Sequence, residues 1–149
     1  MLLKTMVGNG LKTGLVLAAV TNAIIMLASD RELDAPWAAI NAIAHVVDGD
    51  EVTQPDEFSP RESILGIAVN GTAMAAWGVL YEGALAVTKT KSNPLTGACG
   101  AVISYIIDYK IVPKQFTPGI EKRLSQRAVL AAYLLLGMTL SLSGLWNKE

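Results

Sequence analysis

Charged residues along this chain are separated by long uncharged runs. Residues 13–29, 63–81, 92–107 and 128–147 contain no Asp, Glu, Lys or Arg. A helix that crosses a bilayer needs about 20 mostly apolar residues, with roughly 17 to 25 tolerated. A charge one turn inside either end can snorkel to the interface, so the shorter runs qualify too. Ala, Gly, Leu and Met dominate these runs and period-2 alternation is absent, which disfavours strands. A soluble bundle would still show a charged face on each helix, and the stretch from Ala128 to Leu145 has none. The pattern predicts an all-α fold: an integral membrane four-helix bundle in one domain, with spans at about 7–28, 60–88, 94–112 and 126–146. Met1 to Asn22 has the outline of a signal peptide but no small-x-small cleavage site follows, so it reads as the retained first span.

A fifth uncharged run, 35–47, is too short to span and predicts an interfacial or re-entrant helix between spans 1 and 2. Asp34 can cap it, and Pro36 falls in its first turn. Helical spacing puts Trp37, Ile40 and Val47 on one face and Asn41, His45 and Asp48 on another, so the helix is expected to lie flat with the Trp37 face in the headgroup boundary or against the bundle. Ser59-Pro60-Arg61-Glu62 reads as a capping box with a proline start, and Asn93-Pro94 opens the next span in the same way. Pro113 closes the third span, and Thr117-Pro118 begins a basic segment leading through Ser125 into the fourth. Gly10/Gly14, Gly71/Ala75, Gly97/Ala101 and Gly100/Ser104 recur at a spacing of four, which suits close helix packing along the first three spans. The Leu-rich fourth span is expected to face more lipid.

Four spans place both termini and the 89–93 turn on one side and two larger loops on the other. Asp30 to Glu62 carries a net charge of −7 and Asp108 to Arg127 a net of +3, so the two loops should dock on each other. Lys and Arg are slightly more numerous on the loop side, a weak preference for loops in the cytoplasm.

Composition agrees with lipid as the solvent: 52% hydrophobic, 17% charged and a mean hydropathy of +0.40. Those values also exclude a disordered chain. A net charge of −1 argues against nucleic acid as a partner. With the single cysteine Cys99, neither an internal disulfide framework nor a Cys-based zinc cluster can form.

The candidate polar residues are Lys12, His45, Asn70, Glu82, Asp108 and Tyr109. Glu82 and Asp108 differ in depth by roughly 12 Å at 1.5 Å per residue, so they should not share a proton or a metal. Lys12 and Glu82 both lie roughly 9 Å inside the terminal-side face and are expected to form an ion pair. His45 could ligate a metal or haem or carry a proton, but a lone histidine reads more simply as a hydrogen-bonded structural group. Asn70 reads as inter-helix glue, Cys99 as a small packing residue, and Trp77, Tyr81, Tyr105, Tyr109 and Trp146 as interface anchors. There is no phosphate loop, nucleophile elbow or zinc-helix motif. No catalytic, cofactor-binding or metal residue is assigned, and no cofactor is expected.

Asp108-Tyr109, Val112-Pro113, Thr117-Pro118-Gly119, Glu121 and Leu124-Ser125 form a signature that resembles an uncharacterised family of small bacterial inner-membrane proteins. His45 followed by Gly49-Asp50-Glu51, and Trp77 with Tyr81-Glu82, are similar as well, so the likeness covers about two-thirds of the chain, from near Asn41 to Leu145. It implies four spans, a bacterial inner membrane and no assigned activity. Members often carry paired histidines where this chain has Asn70-Gly71, so a metal bound there would have no counterpart here. The expectation is a non-catalytic integral membrane protein, an accessory or scaffolding subunit with the bilayer and membrane proteins, or further copies of itself, as partners. The alternatives are a small oligomeric transporter or channel with Lys12, Asn70, Glu82 and Asp108 along a pathway, and a membrane enzyme or cofactor-binding protein using His45.

Overall fold

The computed structural model describes residues 2–50 and 54–147; among them every regular element is helical. Three helices are long and apolar enough to cross a membrane: Leu3–Leu33 within α1 (Leu2–Leu33), α4 (Pro60–Thr88), and Gln126–Leu145, which comprises α6 (Gln126–Ser141) and a closing 3-10 turn. The expected third span is shorter. Its α-helical part, α5 (Pro94–Ile106), has 13 residues, about 20 Å at 1.5 Å per residue, and a π turn continues it over Ile107–Ile111.

The packing order is α4, α1, α6, α5, with each neighbour antiparallel to the next. α1 and α4 touch through backbone. A Cβ on Gly10 or Gly14 would sit 2.5 Å from the Cα of Val79 or Ala75, and one on Gly78 would strike the Gly10 carbonyl. α5 and α6 meet similarly over Gly97, Ala101 and Gly137. In lipid, apolar burial alone provides little drive for helix association, so such close contacts carry much of it. Of the expected small pairs, Gly71 is not at a seam, since nothing lies within 4 Å of its Cβ position; Gly66 and Gly78, not singled out in the sequence, are.

α6 is the most enclosed of the three long helices, not the most lipid-facing: 44% of its apolar window is buried, against 33% for α1 and 28% for α4. It packs between α1 and α5 and has a core residue on nearly every turn, from Val129 to Leu140.

The predicted interfacial helix exists as two short turns, α2 (Ala38–Ala42) and α3 (His45–Asp48). It does not lie flat with a polar face outward. Ala38 through His45 are all buried, Asn41 and His45 as fully as Ile40 and Ile43. The segment plugs the loop end of the molecule against Ile25, Ile120, Leu124 and Tyr133. Ser29 of α1, rather than Asp34, serves its N-terminus: its Oγ accepts from Ala39 N at 3.1 Å and donates to Ala35 O at 2.6 Å. Asn41 is saturated by Pro55 O, Glu57 O and the Ser63 hydroxyl, which meets the cost of burying an amide.

Of the two expected capping boxes, only Asn93–Thr96 forms. At α4 the Ser59 hydroxyl turns to the Glu62 carboxylate, and Ser59 N donates to Ser63 Oγ instead. The loops dock as their charges require, through Lys122–Asp50 and Arg123–Asp56. Ser125 adds to this by donating from N and Oγ to Glu32.

Candidate functional site

α4 and α5 meet through side chains such as Tyr81, which bonds Thr96 and lies against Gly100, rather than along their backbones, and a groove runs between them with α6 as its floor. Its loop-end half is a cavity of about 550 Å³, reached by Thr21, Asn70, Met74, Asp108 and Tyr133 and closed above by the 116–120 segment. Its other half lies between Trp77–Leu85 of α4 and Leu95–Ser104 of α5.

Asp108 belongs to the π turn, a helical irregularity that recurs at functional sites. Tyr133 donates to its Oδ2 at 2.6 Å, and the Trp77 indole sits beside the same carboxylate. Tyr105, Tyr109 and Tyr133 form a ring cluster with centroids 5.0 to 5.9 Å apart, edge-on or tilted as aromatic quadrupoles prefer. Tyr109 donates to Glu121 Oε2 at 3.3 Å, and Thr117 donates to Glu121 Oε1 at 2.7 Å. Asp108, Tyr109, Thr117 and Glu121 of the sequence signature therefore end in two adjoining networks above the cavity.

Asn70 donates from Nδ2 to Thr21 Oγ1 at 3.0 Å and Asn22 Oδ1 at 2.9 Å, joining α4 to α1 at the cavity's edge. His45 lies under Gly119, whose φ of +86° and a Cβ position 2.5 Å from His45 Nδ1 leave no room for a side chain. His45 Nδ1 bonds Ala42 O at 2.9 Å, and Nε2 is 3.8 Å from Asp50 Oδ1. At the loop rim, the Lys122 ammonium holds the Asp50 carboxyl below its ordinary value, and the Arg61 guanidinium does the same to Asp48.

Glu82 and Asp108 occupy different cavities. The expected Lys12–Glu82 pair does not form: Lys12 is exposed, and its neighbour Thr13 donates to Glu82 Oε1 at 2.9 Å. One residue is about 100° around a helix, so matching depth did not guarantee a matching face. Thr13 Oγ1 also accepts from Trp146 Nε1 at 3.2 Å and Asn147 Nδ2 at 2.9 Å. The spacing of Gly10, Thr13/Gly14, Leu17, Thr21, Ile25 and Ser29 marks this inner face in the sequence. Trp146 and Tyr81 thus make protein contacts, Tyr81 with Thr96 at 2.9 Å, and Cys99 is exposed at the groove rather than packed.

Comparison with protein-family models, curated proteins and solved structures returned no match. Among the described residues, no group of three or more His, Cys, Asp or Glu converges as a metal site. The groove offers apolar walls of mixed size, small at Ala68, Ala76 and Ala84 and large at Trp77, Leu80 and Ile103, and one carboxylate–tyrosine pair near its loop end. That arrangement can seat an apolar rod and fix its register with a polar contact.

Proposed function

We propose that this protein is a four-span accessory subunit of a membrane complex, non-catalytic itself, of the bacterial inner-membrane family whose signature it resembles. The groove between α4 and α5 receives a transmembrane helix of a partner protein. One observation carries this reading: Ala68, Thr72, Ala76 and Ala84 are exposed on one stripe of α4 that only Leu80 interrupts, the first three lining the loop-end half of the groove and Ala84 the half that Cys99 and Gly100 also line. Lipid is served as well by large apolar side chains, whereas small residues at this spacing admit a second helix backbone. Purification in mild detergent tests the proposal. A stoichiometric partner that is lost on Ala76→Leu supports it; recovery only as a lone monomer counts against it.

The second reading is a small oligomeric transporter. Its support is that Asp108 and Asn70 reach one cavity, as intramembrane polar groups on a solute pathway do. Solute flux into proteoliposomes that is abolished by Asp108→Asn would promote it above the first.

A further inference from the structure

At the opposite end of the molecule from Asp108, a cavity of about 510 Å³ opens between α1, α4, the 90–92 turn and the C-terminal turn. Glu82, only 9% exposed, lines it from α4. Ser143, 1% exposed, and Asn147 line it from the C-terminal turn. The Ser143 hydroxyl and the Asn147 carbonyl oxygen are buried there without hydrogen-bond partners. Thr13 Oγ1 donates to Glu82 and accepts from Asn147 Nδ2, so one hydroxyl joins the carboxylate to the amide whose oxygen is unpartnered. Buried polar atoms are normally satisfied, and an unsatisfied one needs an explanation. Here two line the same cavity as a buried carboxylate, and all three groups can accept.

We propose that this cavity binds a primary ammonium group on a short apolar stem. Glu82 supplies the counter-charge, and Ser143 Oγ and Asn147 Oδ1 accept its remaining donors. An ammonium presents three N–H donors and no acceptor, which matches three accepting groups in one cavity. The volume is far more than a bare metal ion fills, a single water's share of liquid being about 30 Å³. Met6, Leu85 and Ala86 provide apolar wall for the stem. The ammonium can come from a lipid headgroup or from a free amine.

The test uses the full chain in non-ionic detergent, with hexylammonium as probe and hexanol as its uncharged counterpart. Hexylammonium is expected to raise Tm and hexanol not. Glu82→Gln keeps an acceptor for Thr13 but removes the charge, and should weaken hexylammonium at least about tenfold, the scale of one charge-assisted hydrogen bond. Ser143→Ala, which leaves the helices untouched, should weaken it by about threefold or more. Lys91→Ala removes a like charge from the same lining and should retain or tighten binding. In nanodiscs, suppression of the hexylammonium response by phosphatidylethanolamine but not phosphatidylcholine identifies the lipid as the source; an equal response in both identifies a free amine. Equal stabilisation by hexanol, a response to sodium ion alone, or affinity unchanged in both Glu82→Gln and Ser143→Ala overturns the proposal.

Discussion

The two sides of α4 have similar residues and opposite fates. On the inner side, Gly66, Asn70, Met74 and Gly78 repeat every four residues and are buried, Gly66 against Ile40 of α2 and the others along α1. Backbone meets backbone there, and Asn70 ties the helices across the seam. Toward α5, Ala68, Thr72 and Ala76 repeat at the same interval and, past Leu80, Ala84 continues it, yet they face an open groove. Small residues at helical spacing therefore state that a helix can come close; whether one does depends on what else occupies that side. On the seam side, glycine permits contact closer than alanine allows, and Asn70 adds hydrogen bonds.

The seam should be the more fragile. Gly78→Leu drives a side chain into the Gly10 carbonyl and is expected to cost about 3 kcal/mol or more, read as a large loss of Tm in detergent. If Gly78→Leu proves as stable as the parent, the seam is not the closed contact described. Gly119→Ala should come next, at about 1–3 kcal/mol, because it combines a positive φ with a Cβ against the His45 ring. It should also raise protease access to the 116–120 segment that closes the groove's loop end. Asn70→Ala is expected to cost about 0.6–2 kcal/mol, the range for a hydrogen bond between membrane helices. Combined with Thr21→Ala, it should lose less than the sum of the two.

How far the sequence foretold this arrangement differs from element to element. Uncharged runs located α1, α4 and α6, because twenty apolar residues have few uses other than crossing lipid. They overstated α5, since hydropathy does not register that the helix loosens into a π turn at Ile107. Residues 35–47 were legible as a short helix, but their burial was not. The face bearing Asn41 and His45 looked solvated until the 54–63 and 113–124 segments supplied Pro55 O, Glu57 O, Ser63 and Gly119. Pairwise depth brought Lys12 and Glu82 to one level, while the helical phase gave the contact to Thr13. Asp108 was legible as a candidate polar residue; its Tyr133 partner was not, since nothing local links residues 25 positions apart.

The loop latch above the groove should respond to pH in a defined direction. Lys122 holds the Asp50 carboxyl below its ordinary 3.8 in the fold, and Arg61 does the same for Asp48. Their contribution is therefore fully present above that value and is lost as pH falls through the lowered folded values. Cross-linking between residues 50 and 122 should decline below about pH 4 and also with added salt, since these pairs are solvent-exposed. This is the smallest of the expected effects.

The open groove is the centre of the account, and one comparison addresses it directly. Ala76→Leu fills space along the groove and should leave Tm of the isolated protein nearly unchanged, within about 0.5 kcal/mol of stability. The same substitution should abolish recovery of a stoichiometric partner from native membranes. Leu15→Ala, on the exposed outer face of α1, should leave that recovery intact. Loss of the partner with Ala76→Leu alone is the predicted result. A partner retained equally by both variants, or association with further copies of this chain only, would contradict the claim that the groove seats a partner's helix.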